Sequence, residues 1–299
     1  MPSRRHVLSA LAAAPLLVGG TSALAAPTVR MTSAISRRMD ALELRSGGRL
    51  GVAVLDTHNG RTFSRRADER VPMCSTFKAL QAGFILSRVD RGQERLDRRI
   101  TYGRGVLMAH SPTTERHVAD GLTIGQLCEA AVIWSDNAAA NLLLDAAGGP
   151  PALTAWLRGL GDKVTRLDRR EPELNDFRQG DPRDTTTPAA MLSTLRVLTL
   201  GEALSPASRI QLNAWLLDNR TGDKRLRAGL PAGWKTGDKT GTGGGARRGT
   251  SNDIAVIRPP GRAPLLVTAF LVEAKPDVDL RNGILAETAR AIVDAGFGR

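Results

Sequence analysis

Ser75 and Lys78 are the first residues in this sequence whose types and spacing could support covalent chemistry. Side chains three positions apart lie on the same face of a helix, so the lysine amine can reach the serine hydroxyl. A hydroxyl is a weak nucleophile until a nearby base takes its proton, and a desolvated lysine can lose its own proton and become that base. Taken alone, however, the pair is more typical of a helix-capping serine followed by an exposed lysine.

A second polar group, Ser135, Asp136 and Asn137, lies between two predicted helices. All three residue types favour helix caps, so the group by itself predicts a capping loop. We assign that structural role to Asp136.

A third group, Lys239, Thr240 and Gly241, follows an apolar segment and is predicted to begin an inner strand of a sheet. Glycine in a strand often marks the close approach of a ligand, so a flat substrate could lie against the backbone at Gly241. A glycine-rich hairpin turn is the alternative, and it accounts for Gly243 to Gly249 but not for the Lys-Thr pair.

In this order, Ser-x-x-Lys, Ser-Asp-Asn and Lys-Thr-Gly form the signature of class A β-lactamases and penicillin-binding proteins. A fourth group, Glu171 to Asn175, reads Glu-Pro-Glu-Leu-Asn and resembles the Ω-loop of class A enzymes. The chain therefore resembles a class A serine β-lactamase over nearly all of its length after the N-terminal segment. The resemblance implies hydrolysis of β-lactam antibiotics, in which a β-lactam and water give a substituted β-amino acid through an acyl-enzyme on Ser75.

The resemblance also implies roles for individual catalytic residues. Ser135 is expected to pass a proton to the β-lactam nitrogen, and Asn137 to hold the side-chain amide of the substrate. Glu171 is expected to activate the water that releases the product, with Asn175 orienting that water. Either Lys78 or Glu171 is the base for acylation, and the sequence leaves both open.

The same resemblance implies a binding edge along the predicted strand. Lys239 and Thr240 are expected to contact the substrate carboxylate beside Gly241. The backbone N–H of Thr242 is expected to bind the developing oxyanion together with the N–H of Ser75.

Two positions depart from much of the family. The arginine with which many relatives bind the substrate carboxylate aligns with Ser251, but another subset carries it at a position that matches Arg225. We assign the carboxylate role to Arg225, because its guanidinium can reach the same space. His110 replaces an aromatic residue at the rim of the site, where it can stack in the same way or be an exposed loop histidine.

Cys74 and Cys128 could form disulfides if the chain is exported. In relatives, the corresponding cysteines are bridged to positions that are Gly243 and Ala82 in this chain. Because both partners are missing, we predict two buried free thiols. The histidines and cysteines show no metal-ligand spacing, so we expect neither a metal nor another cofactor.

The predicted architecture has strands at both ends of the mature chain and helices between them. Strands are expected over 50–56, 61–65, 252–258 and 265–272, with Asn59-Gly60 as a hairpin turn. Caps and glycines predict helices over 75–90, 123–134, 137–147, 205–218 and 279–295, and another from 187. The predicted fold class is α/β, with an antiparallel sheet flanked by helices (26–70 and 221–299) plus an all-α domain (71–220). The site is expected between the two domains.

Residues 1–25 are predicted to be a removable export signal, because Arg4 and Arg5 precede a short apolar run and the small-residue site at 23–25. The paired arginines favour the twin-arginine route over general secretion. The apolar run is too short to span a bilayer. We therefore expect a periplasmic or secreted protein without a membrane anchor.

The formal net charge is +12, which could indicate a nucleic-acid partner. The chain has only six phenylalanines, four tryptophans and one tyrosine, and no basic stretch is interleaved with rings. We therefore expect an arginine-coated monomer whose partner is a small-molecule β-lactam, not a nucleic acid.

The alternative function is a penicillin-binding D-Ala-D-Ala peptidase or a non-hydrolysing β-lactam sensor. Such proteins lack the Glu-x-x-Leu-Asn group, and they usually need a membrane anchor, a further domain or a transmembrane relay. We expect penicillins and cephalosporins as substrates, whereas the sequence leaves carbapenems open.

Overall fold

The computed structural model describes residues 27–299, and it describes side chains from Ser33 onward. The predicted export signal at 1–25 lies outside the described residues. Within them, no helix is both long and apolar enough to cross a membrane.

The described chain alternates helices and strands, with short 3₁₀ turns between them. The helices are α1 (Pro27–Ser46), α2 (Phe77–Asp90), α3 (Ile124–Ile133), α4 (Asn137–Ala147), α5 (Gly149–Gly159), α6 (Pro188–Thr199), α7 (Pro206–Leu217) and α8 (Val278–Asp294). The strands are β1 (Arg49–Asp56), β2 (Thr62–Arg65), β3 (Val71–Pro72), β4 (Arg99–Ile100), β5 (Leu122–Thr123), β6 (Thr185–Thr186), β7 (Lys235–Gly244), β8 (Gly249–Arg258) and β9 (Leu265–Ala274).

The main sheet has five antiparallel strands in the order β2-β1-β9-β8-β7. β1 inserts beside β9, so the two ends of the described chain pair with each other and leave β7 at one edge. The prediction that Lys239, Thr240 and Gly241 begin an inner strand is therefore wrong, because they lie in the middle of an edge strand. An edge strand leaves backbone donors and acceptors open along one side, where an extended molecule can pair with them.

Two apolar cores lie on opposite faces of this sheet. One includes Leu42 of α1, Val267 of β9 and Ile284 of α8. The other includes Phe270 of β9 and most of α2, which is apolar around nearly its whole circumference and is buried by the helices surrounding it. The predicted fold class, an antiparallel sheet flanked by helices, is confirmed by this arrangement.

Two helices were not predicted. α1 carries Ile35, Met39 and Leu42 at helical spacing, and this apolar stripe packs on α8. α5 begins where Gly148 ends α4 with a φ of 92°. In the sequence the two glycines predict only the end of α4, but the prolines after Gly149 fit the first turn of a new helix.

Candidate active site

Ser75 lies in the 3₁₀ turn Cys74–Thr76, which leads directly into α2. The predicted helix start at Ser75 is thus early by about half a turn, because α2 itself begins at Phe77. Asn252 of β8 holds the preceding chain by donating from Nδ2 to the carbonyl of Met73 at 3.1 Å. The nucleophile is therefore fixed by a strand from the far end of the sequence.

Lys78 is fully buried on the first turn of α2. Its Nζ donates to the carbonyl of Ser135 at 2.8 Å and to Oδ1 of Asn137 at 2.6 Å, and it lies 3.1 Å from Oε1 of Glu171. Burial lowers the pKa of Lys78 below its ordinary value, and the Glu171 carboxylate opposes this only in part. The lowered pKa favours the neutral amine that a proton acceptor needs.

Glu171 is 2% exposed and faces both the nucleophile and the lysine. Its Oε1 accepts a hydrogen bond from Ser75 Oγ at 3.4 Å, and its Oε2 accepts one from Asn175 Nδ2 at 2.6 Å. Asn141 binds both backbone groups of Glu171, accepting from its N–H at 3.1 Å and donating to its carbonyl at 2.8 Å.

Asn141 is a positioning residue that the sequence analysis missed. It lies four residues after Asn137 on α4, so both amides point to the same side of the helix. The four-residue spacing of these two asparagines is the sequence signal that could have identified Asn141.

Ser135 has a left-handed backbone with a φ of 59°, and its Oγ accepts from Lys239 Nζ at 3.1 Å. Asp136 caps α4 through the Ala139 N–H at 2.9 Å, which confirms its predicted structural role. Asn137 donates to the carbonyl of Ala109 at 2.9 Å while its Oδ1 accepts from the buried lysine of α2.

Lys239 is fully buried at the centre of β7, and it also donates to the carbonyl of Thr240 at 2.9 Å. Burial and the positive charge of Lys78 hold the pKa of Lys239 well below its ordinary value. The Thr240 hydroxyl lies 2.5 Å from that of Thr221, another lining residue that the sequence analysis missed.

Gly241 meets a packing requirement in addition to the role that the sequence predicts for it. A Cβ at this position would lie 2.7 Å from the carbonyl of Met73, so the glycine is required where β7 packs against the turn that carries the serine. This requirement comes from the protein's own packing and is separate from the predicted approach of a substrate.

Arg225 reaches β7 and β8 from the segment before β7 and is 6% exposed. Its Nη1 donates to the carbonyls of Gly241 and Asn252, each at 2.7 Å, and its Nη2 donates to Thr242 Oγ1 at 2.6 Å. Its Nε donates to Asn282 Oδ1 at 3.0 Å. Four of its five N–H groups are thus used within the protein, which leaves one on Nη2.

A cavity of about 320 Å³ collects these side chains between the sheet edge and the helices. It is lined by Ser75, His110, Ser135, Asn137, Glu171, Asn175, Thr221, Arg225, Thr240 and Thr242. Of the other predicted site residues, Lys78 and Lys239 lie behind it and touch its walls, and Gly241 packs against the turn that carries the nucleophile. The structure therefore brings all the predicted site residues together.

His110 lies at this cavity with a left-handed backbone, and its Nε2 is 2.9 Å from the carbonyl of Trp134. A carbonyl can only accept, so Nε2 is the donor in this contact. Trp134 itself is 46% exposed.

Cys74 and Cys128 are both buried and unbridged, which confirms the prediction of free thiols. Burial raises the pKa of the Cys74 thiol to about 12, so it is not a reactive thiolate. A Cβ at Gly243 would lie only 2.7 Å from Cys74 Sγ.

Comparison with known proteins agrees with this geometry. A model of the β-lactamase enzyme family matches residues 34–295. β-Lactamase L2 of Stenotrophomonas maltophilia is 49% identical over 93% of this chain and 91% of its own length, and β-lactamase AST-1 of Nocardia asteroides is 44% identical over 98% and 95%. The solved structure of an ancestral (GNCA) class A β-lactamase is 66% identical, with a TM-score of 0.85, and the match covers 87% of this chain and 99% of that one. The chain therefore belongs to the β-lactamase enzyme family, as a class A serine β-lactamase.

Proposed function

We propose that this enzyme hydrolyses β-lactam antibiotics by acylation of Ser75 and release of the product by a water that Glu171 activates. The observation that carries the proposal is the position of one buried carboxylate. Glu171 Oε1 lies 3.4 Å from Ser75 Oγ and 3.1 Å from Lys78 Nζ, so it is in reach of both the nucleophile and the lysine.

In acylation, Ser75 Oγ attacks the β-lactam carbonyl carbon and its proton passes to the pair formed by Lys78 and Glu171. The carbonyl oxygen becomes an oxyanion that the N–H groups of Ser75 and Thr242 stabilise, each donor being worth about 10²- to 10³-fold in rate. The C–N bond then breaks, and Ser135 gives its proton to the nitrogen. Ser135 Oγ accepts from Lys239, which favours this loss of its proton. Ser135 regains a proton from the pair formed by Lys78 and Glu171, which holds the one taken from Ser75.

In deacylation, Glu171 takes a proton from water, and the hydroxide equivalent attacks the carbonyl carbon of the ester on Ser75. The bond between that carbon and Ser75 Oγ then breaks, and the proton held by Glu171 passes to Ser75 Oγ, which lies 3.4 Å from Glu171 Oε1. Asn175 Nδ2 donates to Glu171 Oε2 at 2.6 Å, which holds the carboxylate and the amide on one side of the ester. The backbone contacts from Asn141 keep this arrangement rigid.

The substrate carboxylate would be bound by Lys239, Thr240 and Arg225, and its side-chain amide by Asn137. Beyond Thr242, a cavity of about 720 Å³ opens between the segment after Asn175 and the β7–β8 hairpin. This space can accept acyl substituents larger than those of simple penicillins.

Intact-protein mass spectrometry after mixing with benzylpenicillin tests the mechanism with two variants. Ser75→Ala should give neither adduct nor turnover. Glu171→Ala should accumulate an adduct on Ser75, with steady-state turnover reduced by at least about 10²-fold, the low end for losing a general base. An adduct on Ser75→Ala, or unimpaired turnover by Glu171→Ala, would contradict the proposal. A wild type that stayed acylated would favour a peptidase or sensor.

We also propose that residues 1–25 direct export to the periplasm or medium and that the mature chain acts as a monomer without a cofactor. We further propose a division into an α/β domain (26–70 and 221–299) and an all-α domain (71–220). The separate apolar cores on the two faces of the sheet support this division.

A further inference from the structure

Asp238 of β7 and Asp253 of β8 are fully buried next to the proposed binding edge. In the strand register Asp253 lies opposite Thr240, and Asp238 lies opposite Ala255. The two aspartates are therefore diagonal neighbours on the same face of the sheet. Neither has a part in the proposed reaction.

Each carboxyl group has one oxygen with a donor and one without. Asp238 Oδ1 accepts from Arg227 Nη2, and Asp253 Oδ2 accepts from the Leu226 N–H at 3.1 Å. Asp238 Oδ2 and Asp253 Oδ1 are buried and have no hydrogen-bond partner. A buried polar atom left in this state destabilises the folded protein.

No surrounding residue makes a hydrogen bond of normal geometry to either of these oxygens. The backbone at Gly222 closes over the pair so tightly that a Cβ there would lie 1.7 Å from Asp238 Oδ2. The Asn219 amide faces Asp238 and lowers its pKa, but its Nδ2 makes no hydrogen bond of normal geometry. The charged groups that face the pair are Arg225, Arg227 and Lys239.

We propose that Asp238 and Asp253 share one proton between their unpartnered oxygens, and that the protonated pair is a positioning element for Lys239 and Thr240. The O–H group of one carboxyl then donates to the unpartnered oxygen of the other, so a single proton gives both oxygens a hydrogen bond. Two buried carboxylates that interact directly do not both ionise, because the repulsion of like charges keeps a proton on one of them.

The electrostatic surroundings support the proposal. Burial raises the pKa of both groups, and the negative charge of Asp238 raises that of Asp253 further. Carboxyl groups that interact strongly titrate as a pair, so the proposed proton belongs to both rather than to one.

The shared proton has a consequence for substrate binding, which rests on the proposed function. With one proton, the pair carries a single negative charge, and Arg227 already binds it. The negative charge that remains beside Lys239 raises the pKa of its amine and so opposes the lowering caused by burial and Lys78. This helps to keep a positive charge available to the substrate carboxylate. The presence of the proton itself can be tested without any substrate.

Asp253→Asn is the matched variant, because an amide keeps the acceptor for the Leu226 N–H and supplies a permanent donor to Asp238 Oδ2. The wild-type folded chain retains a proton that the unfolded chain releases above the ordinary aspartate pKa of 3.8. From about pH 5 upward, the unfolding constant of the wild type relative to the variant should therefore rise about tenfold per pH unit until the folded pair titrates. A ratio that does not change with pH would overturn the proposal.

Asp56→Asn is the control for this measurement. Asp56 is also fully buried, but His58 N–H and Gly298 N–H each donate to one of its oxygens at 3.0 Å. Asp56→Asn keeps the Asp238–Asp253 pair, so the unfolding constants of the wild type and of this control should change with pH in the same way.

Infrared difference spectroscopy on the folded proteins gives a second readout. The carbonyl stretch of a protonated carboxyl group should be present at neutral pH in the wild type and in Asp56→Asn, and absent in Asp253→Asn. Its absence from the wild type would overturn the shared proton even if every variant folded normally.

The positioning role is tested by kcat/KM for benzylpenicillin at neutral pH. Asp253→Asn should stay within about threefold of the wild type, whereas Asp253→Ala, which leaves Asp238 Oδ2 without a donor, should lose about tenfold or more. Equal rates for the two variants would overturn the positioning role. A wild type without β-lactam turnover would refute the proposed function, while the infrared and unfolding results would still report on the proton.

Discussion

Replacing Arg225 with alanine should affect stability and catalysis separately, because the side chain has two kinds of contact. Its Nη1 satisfies two strand carbonyls at 2.7 Å, and its Nη2 holds the Thr242 hydroxyl at 2.6 Å. Leaving buried acceptors without donors costs about 1–3 kcal/mol each, and such losses overlap. We expect Arg225→Ala to lower the free energy of unfolding by about 2–5 kcal/mol.

The catalytic effect depends on the one N–H that Arg225 has left for the substrate. A hydrogen bond to a charged group contributes about 1.5–3 kcal/mol. Arg225→Ala should therefore reduce kcat/KM for a penicillin by about 10- to 150-fold under conditions where the variant is folded.

The decisive assay compares a penicillin with its methyl ester on both enzymes. If Arg225 binds the substrate carboxylate, Arg225→Ala should reduce kcat/KM for the free acid more than kcat/KM for the ester. The difference should account for most of the expected reduction of about 10- to 150-fold. Asn282→Ala is the matched control, since it removes the partner of Arg225 Nε but leaves the guanidinium in place. Equal losses on acid and ester would show that Arg225 acts only by holding the strands.

Three further results are expected. Gly243→Cys should form a disulfide with Cys74 on oxidation, because a Cβ added there would lie 2.7 Å from Cys74 Sγ. Closing a loop of about 170 residues is worth at most about 5 kcal/mol, so the Tm of the oxidised variant should exceed that of the reduced variant. A Gly243→Ser variant with the Tm of the oxidised form would contradict this. Burial raises the pKa of Glu43, but hydrogen bonds from Arg66 and a backbone N–H outweigh it and lower the pKa to about 2. That stabilisation is complete above about pH 4.5 and is lost towards pH 2, so the Tm difference between wild type and Glu43→Gln should shrink over this range, and a constant difference would refute the assignment. Asn141→Ala removes both side-chain hydrogen bonds to the Ω-loop backbone. In stopped-flow measurements it should slow deacylation more than acylation. Equal slowing of the two steps would argue against a role specific to deacylation.

Local chemistry in the sequence determined where most elements begin and turn. Thr123, Thr187 and Ser205 were predicted as helix starts, and each side chain accepts from a backbone N–H of the first turn. Such caps depend on residues three positions apart, so they can be recognised without any tertiary information. The order and types of the residues in the four motifs likewise sufficed to predict which side chains meet, because the resemblance carried that long-range information.

Only the tertiary structure decided what surrounds those side chains. The edge position of β7 follows from the insertion of β1 beside β9, which no local pattern near Lys239 records. The lowered pKa of Lys78 depends on burial among elements distant in sequence, and the partners of Arg225 come from β7, β8 and α8. The orphan oxygens of Asp238 and Asp253 likewise exist only because two strands align in one register. Spacing along a chain fixes which groups can share a helix turn or a strand face, but desolvation and hydrogen-bond satisfaction depend on all the atoms packed around a group.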